Sequence, residues 1–360
     1  MYKSFKIRNF RCFQELVMEP LGRVNLIAGP NNVGKTALLE ALFLHCGPTN
    51  PDLPRRVNLF RGIEPLSTEA DSLWEPLWSS LFYKFDDSAT IELWGEEVDG
   101  KQRTLRLSLV YQQTSQVKIH ENMKESTTRE TSSLSIEALG KSLKLEYNDG
   151  SREAKVMNAI IEPQGIRIGP YSPPPFPGIF LLARRRVNSS EDAERFGKLE
   201  IAGKQDIVLK FLKLIEPRLR RLAVIVSAGV PTIHGDIGLG RLLPLPLMGG
   251  GMGRLSSLIL AIANAPDGIV LVDEIENGIH HSVMDDVWKA IAKSAQDFNV
   301  QIFAATHSEE CIRAAHEAFE ECNSYDFRLH RLEFIDDSIR AITYDQETLD
   351  AAIEVGLEVR

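Results

Sequence analysis

An α/β fold with a mixed central sheet is what this 360-residue sequence predicts, and three observations predict it. Short apolar runs alternate with helical patterns across residues 254–319, the strand–helix order of a largely parallel sheet. A strand, a loop and a helix open the chain in the same manner at residues 24–46. Residues 90–94 and 105–112 each alternate apolar with polar side chains and read as an antiparallel hairpin beside that sheet.

Taken in order, residues 2–28 hold two or three strand-like runs, of which Val24–Ala28 is the most apolar and ends on a Gly-Pro turn signal. Leu38, Leu39, Leu42 and Phe43 recur at helical spacing through residues 36–46, and the proline-rich, polar residues 47–56 read as a loop. Residues 113–133 crowd Ser, Thr, Glu and Lys together without a hydrophobic period, so they read as an exposed insertion too short for a coiled-coil arm. Pro173-Pro174-Pro175 marks a further break, followed by an apolar run at 179–183 and a helix over 206–215. The regular region then predicts a helix over 254–265, the strand Ile269–Val272, a helix over 282–295, a strand over 300–305 and a helix over 309–319. No internal repeat is visible. The expected organisation is one unit: an N-terminal lobe at 1–113, a helical or irregular insertion or lid at 114–222, and a C-terminal lobe at 223–360.

Composition narrows the class. Hydrophobic residues at 43% and charged residues at 25% are ordinary globular usage. Forty-one Lys and Arg against 50 Asp and Glu leave a net charge of −9, so no bulk positive field draws the chain to nucleic acid or anionic lipid, and any DNA contact must come from a local patch. Cys12, Cys46, Cys311 and Cys322 are far apart with no C-x-x-C pair, which argues against a zinc knuckle or a disulfide framework; they are expected to be reduced and mostly buried. The start lacks an apolar signal core and no stretch reaches bilayer-spanning length, so a cytoplasmic protein without a membrane partner is expected.

The chemistry is concentrated in two motifs. Gly29-Pro30-Asn31-Asn32-Val33-Gly34-Lys35-Thr36 fits G-x-x-x-x-G-K-[ST] at every fixed position, after an apolar strand and at the opening of a helix. Backbone N–H groups of such a loop, with the helix N-terminus, cradle phosphates; Lys35 reaches the β- and γ-phosphates and Thr36 offers a hydroxyl to Mg²⁺. Gly29, Asn31, Asn32, Val33, Gly34, Lys35 and Thr36 are therefore candidate ATP-binding residues. The second motif is the strand running into Asp273 and Glu274, which delivers two carboxylates at the sheet edge where ligands of open α/β sheets bind. Asp273 is the candidate Mg²⁺ partner of Thr36, and Glu274 the candidate base for the attacking water. His307 follows the next strand, should emerge on the same edge, and is the candidate γ-phosphate sensor. Gly249, Gly250 and Gly251, at the start of the helix before the carboxylate strand, read as a second phosphate cradle, one that serves a neighbouring subunit's nucleotide.

These residues resemble the ABC-type ATPases, specifically the branch that includes the RecF, SMC and OLD proteins. The opening residues 5–13, Gly29 to Thr36 and residues 38–43 resemble the start of that branch; Asp273-Glu274-Ile275-Glu276-Asn277-Gly278-Ile279-His280 and Thr306-His307-Ser308 resemble the Walker B, D-loop and switch regions of compact, stand-alone OLD-like AAA-family ATPases of phage-defence systems. The resemblance covers about residues 1–45 and 245–320 and leaves the middle unmatched. It implies an ABC-type ATPase head without a long coiled coil, a homo-oligomer of paired heads, and a signature segment that closes over the partner head's nucleotide. Asn277 would face that nucleotide from the D-loop. Met248 stands where the wider class has its signature serine, so the clamp would rest on Gly249 to Gly251 and Arg254, and hydrolysis is expected to be slow. No residue in the 71–113 segment is decisive as the Q-loop glutamine.

OLD-like relatives work with a Toprim-type nuclease, which needs a glutamate and an Asp-x-Asp pair. No two aspartates here are separated by a single residue, so the nuclease implied by the resemblance would be encoded separately. Residues 347–360 resemble the terminus of stand-alone relatives. The expectation is a Mg²⁺-dependent ATPase controlling that effector in phage defence or DNA maintenance. A scaffold or sensor assembly that does not bind DNA is the alternative, and a transporter's nucleotide-binding subunit a remote one. Arg184 to Arg186 and Arg218, Arg220 and Arg221 are the dense basic clusters; salt-bridged surface or intersubunit arginines are the reading ahead of contacts to DNA phosphates.

Overall fold

The computed structural model describes residues 1–63, 75–113, 139–162, 165–169, 172–183, 189–322 and 324–360. The chain begins with β1 (Tyr2–Phe10), β2 (Phe13–Met18), β3 (Val24–Ala28), α1 (Lys35–Cys46), α2 (Leu53–Phe60) and α3 (Glu75–Ser79). There follow β4 (Ile91–Glu97), β5 (Gln102–Gln113), β6 (Leu139–Asn148), β7 (Lys155–Glu162), β8 (Gly165–Ile168) and β9 (Gly178–Leu181). The middle continues with α4 (Ser189–Ile201), α5 (Gln205–Leu212), β10 (Arg221–Ser227), β11 (Val230–Asp236) and β12 (Leu243–Pro244). The last third holds α6 (Gly250–Ala263), β13 (Ile269–Val272), α7 (Met284–Asp297), β14 (Gln301–Ala305), α8 (Glu309–Glu320), β15 (Phe327–Ile335), β16 (Ser338–Tyr344) and α9 (Gln346–Glu354).

Six strands in the order β16-β15-β3-β14-β13-β9 form the sheet that carries the phosphate loop. Its pairings are parallel except β15 with β16, so it is the mixed α/β sheet expected. β3, β13 and β14 are buried at every residue, the pattern of parallel strands covered on both faces. Alternate side chains feed two cores. Leu26, Val270, Val272, Ile302 and Ala304 face a core shared with α6, α7 and α8. Ile27, Ile269, Leu271, Phe303 and Ala305 face another, shared with α1 and a second sheet.

That second sheet is antiparallel, in the order β2-β1-β4-β5-β6-β7-β8. Helix α1 lies between the two sheets, and Ala37, Leu38, Leu39, Ala41, Leu42 and Leu44 are all buried, which is why its sequence is apolar nearly all round rather than striped. The buried Gln301 side chain ties the sheets together: its carbonyl accepts from Tyr2 N at 2.7 Å while its amide donates to the carbonyls of Tyr2 and Gly22, both at 2.8 Å.

Two regions differ from the sequence reading. The β4–β5 hairpin is present, but the sheet continues through β6, β7 and β8, where an irregular segment was expected. Leu143, Leu145 and Tyr147 are buried at alternate positions of β6; the polar run before them masks that short period. Apart from Gln113, which ends β5, the expected insertion at 113–133 lies outside the described residues. The second difference is a small sheet, β10-β11-β12, whose hairpin turns through Ala228 and Gly229 at φ 50° and 79°. An Ala-Gly pair is a weak hairpin signal, since left-handed backbone at both centres ordinarily takes Asn-Gly or Asp-Gly. All four cysteines are free; Cys46 and Cys311 are buried, whereas Cys12 and Cys322 are half-buried. Among the described residues no helix is long and apolar enough to cross a membrane.

Candidate nucleotide site

Strand β3 ends at Ala28 and the chain turns at once through Gly29, at φ 134°. A Cβ there would stand 2.5 Å from the Leu332 carbonyl oxygen of β15, so only glycine lets the loop pass. The loop closes at Gly34, φ 103°, where a Cβ would meet Cys12 Sγ at 2.6 Å and Phe13 Cζ at 2.7 Å. The β1–β2 turn thus leans on the last glycine of the loop. Val33 is fully buried and anchors it, while Asn31 and Asn32 remain exposed, Asn32 in left-handed backbone.

Lys35 opens α1, and its Nζ donates to the carbonyls of Gly29 at 2.6 Å and Pro30 at 3.0 Å, which places the ammonium across the mouth of the loop. Burial lowers its pKa; Asp273, Glu276 and Glu274 act in the opposite direction. Thr36 lies one residue further on. Its hydroxyl stands 3.2 Å from both carboxylate oxygens of Asp273, at the end of β13 and 237 positions away in sequence. The fold therefore brings the two motifs together at one edge of the sheet. Asp273 is 9% exposed, and its carboxyl is raised by burial first and by the neighbouring Glu274 next, against the opposing effects of the Thr36 hydroxyl and Arg254.

Glu274 sits at φ 47°, a left-handed conformation that costs an ordinary residue about 1–2 kcal/mol. Asn277 Nδ2 donates to its Oε2 at 2.5 Å, so the glutamate is aimed by its own loop. His307 follows β14, about half exposed, with Nδ1 2.9 Å from Glu276 Oε1; that same oxygen accepts from His307 N at 2.9 Å. The other oxygen of Glu276 is buried without a partner among the described residues. Arg254, in the second turn of α6, donates through Nη2 to the carbonyls of Asp273 at 2.8 Å and Glu274 at 3.3 Å. It braces the carboxylate turn of its own chain, a placement the sequence reading, which set it in the clamp, did not foresee. Gly249 is exposed at φ 119° with nothing within 4 Å of a Cβ position; Gly250 begins α6; Gly251 lies beside Gly278, whose carbonyl oxygen is 3.3 Å from where a Cβ would be.

Sequence reasoning assigned no role to two features here. Glu276 stood inside the quoted motif, yet its contact with His307 depends on two loops that only the fold juxtaposes. Within α1, the fully buried Glu40 accepts from Arg11 Nε at 3.2 Å and from Arg61 Nε at 2.7 Å and Nη2 at 3.1 Å, while Arg11 also reaches Asn58 Oδ1 at 2.8 Å. Three ordinary charged residues on separate elements give no sequence signal of such a network. Of the basic clusters, Arg184 to Arg186 lie outside the described residues.

Chemically, the site offers backbone amides and an ammonium for phosphate, a hydroxyl and a carboxylate for a hard cation, and a second carboxylate held beside them. All-oxygen donors of this kind suit Mg²⁺.

The matching family model and a relative matched over nearly its whole length agree with an ATPase. The chain is 25% identical to an ATP/GTP phosphatase of Helicobacter pylori, over 98% of both chains. A 53-residue match at 42% identity links it to the OLD nuclease of Thermus scotoductus, over 15% of this chain and 10% of that protein. Among solved structures it is similar to an SMC head bound to the C-winged helix domain of ScpA, at 12% identity and a TM-score of 0.49, covering 97% of this chain and 99% of that one. A family model described as "AAA domain, putative AbiEii toxin, Type IV TA system" matches residues 24–313, from the strand ahead of the phosphate loop to the helix after His307, and the chain belongs to that family as an ATPase.

Proposed function

We propose that ATP is bound and hydrolysed at this sheet edge, between two copies of the chain, and that the cycle controls a separate effector. The contact of Thr36 with Asp273 is the observation that carries the reading, because it joins the two halves of a phosphate-and-cation site from opposite ends of the sequence. Gly29 to Thr36 cradle the phosphates with backbone amides, and Lys35 exchanges its loop carbonyls for terminal phosphate oxygens. Thr36 and Asp273 hold Mg²⁺, which when bound neutralises phosphate charge. Glu274, aimed by Asn277, takes the proton of the attacking water. His307, backed by Glu276, senses the γ-phosphate.

The exposed Gly249, with nothing within 4 Å of its Cβ position, supports a surface that another molecule completes. In the paired state Gly249 to Gly251 and Asn277 face the partner's nucleotide. Without a signature hydroxyl at Met248, closure rests on backbone amides and turnover is slow. The effector we propose is a separately encoded Toprim-type nuclease acting in phage defence or DNA maintenance.

Pairing is tested by multi-angle light scattering of Glu274→Gln with and without ATP and Mg²⁺. The expected result is a dimer or larger assembly when ATP is trapped. A monomer under both conditions contradicts paired heads.

A further inference from the structure

The β10–β12 sheet carries a charge pattern opposite to that of the chain. Against a net charge of −9, Arg220, Arg221 and Arg241 line one open cleft of about 340 Å³ with a single acid, Asp236. All three arginines are exposed. Asp236 is already engaged: Oδ1 accepts from Gly238 N at 2.9 Å, and Oδ2 stands 3.8 Å from Arg221 Nε. It offsets at most one guanidinium. Neither Arg220 nor Arg241 has a side-chain hydrogen bond or ion pair among the described residues, in contrast to nearby Arg218, which forks onto Glu216 with two bonds of 2.9 Å.

The remaining lining is backbone-rich. Gly238 and Gly240 hold left-handed backbone at φ 83° and 72°. The Arg220 guanidinium lies over Gly238, its Nη2 2.9 Å from where a Cβ would stand, and the space at Gly240 is open to 4 Å. Guanidinium forks match phosphate oxygens bidentately. A free nucleotide also needs an apolar or aromatic wall for its base, and among the described residues the one large apolar side chain lining the cleft is Leu242. An open trough of unpaired arginines instead suits a continuous line of phosphates.

We propose that this cleft binds the phosphodiester backbone of DNA without reading its sequence. A bound strand would bear on the ATP cycle through β11: a Cβ at Gly235 would lie 2.8 Å from Met248 Cε, so the strand carrying Asp236 packs on the residue just before Gly249. The binding itself does not rest on the ATPase reading, and the two are measured separately.

The test is fluorescence anisotropy of a labelled DNA duplex of about 30 base pairs, titrated with the full chain across a sodium chloride series, with ATP hydrolysis measured in parallel. Exchanging two phosphate contacts for repulsion in Arg220→Glu/Arg241→Glu should weaken binding at least ~10-fold and reduce the slope of log K against log salt by about 2, at about 0.9 per phosphate contact. ATP hydrolysis without DNA should stay at the wild-type rate. If the charge reversal disturbs folding, seen as lost hydrolysis, the Arg220→Gln/Arg241→Gln pair is judged by the same slope. A wild-type chain that does not bind duplex at low salt overturns the proposal. So does a variant with wild-type affinity and slope, or displacement of the duplex by inorganic phosphate at an equal concentration of phosphate groups, which would make this a small-anion site.

Discussion

Lys35→Ala loses ATP binding by at least ~100-fold, the effect of removing charge-assisted bonds worth about 1.5–3 kcal/mol each from two phosphate oxygens. The geometry prepares for this: the ammonium is held at the loop mouth by two carbonyls, at 2.6 and 3.0 Å, which it can release to a stronger acceptor. Burial lowers its pKa, and an anionic ligand beside it acts in the opposite direction, as Asp273, Glu276 and Glu274 already do. Alanine keeps the helix start and the Gly29 and Gly34 turns, so the fold should persist. Isothermal titration with ATP and Mg²⁺ reads the loss directly. Nucleotide retained at wild-type affinity would remove the phosphate-loop assignment.

Glu274→Gln is expected to bind ATP normally and to hydrolyse it at least ~100-fold more slowly, the scale of a lost general base. Glutamine preserves the side chain's length and an oxygen for Asn277, now 2.5 Å from Glu274 Oε2, but it cannot accept a proton from water. Binding and turnover should therefore separate, unlike in Lys35→Ala. Single-turnover phosphate release distinguishes them. An unchanged rate would move the catalytic role to His307, whose Nδ1 lies 2.9 Å from Glu276 and which stands at the end of the adjacent strand.

The candidate site could be read wherever chemistry fixes spacing along the chain. A phosphate loop needs its glycines, lysine and threonine within eight residues, and the apolar strand into Asp273 and Glu274 announces its own edge. The sheet bearing them followed from the same regular alternation, with β13 falling on its expected residues, Ile269–Val272. What depends on contacts between distant segments was not legible. The bonds from Arg254 to the carbonyls of Asp273 and Glu274 in its own chain gave no sequence signal, since 19 and 20 positions separate the partners. Glu40 reads as one more charged residue on a helix, yet it is fully buried because two arginines from other segments converge on it. β6 was lost behind a polar run, and β10–β12 behind a turn with little signal. Three arginines of the cleft come from both ends of that small sheet, so their convergence exists only once the hairpin closes.

If one ATP site needs residues from two chains, as proposed, two inactive variants should restore each other's activity when mixed. Lys35→Ala removes the phosphate grip; Gly250→Glu places bulk and negative charge at the helix start proposed to face the partner's nucleotide. Each alone should be inactive. A mixed pair keeps one intact site, with Lys35 from one chain and Gly250 from the other. At equal amounts half of random pairs are mixed, so phosphate release should recover toward about a quarter of the wild-type rate per chain. A mixture no more active than either variant alone, at concentrations where wild-type chains pair, would contradict the account.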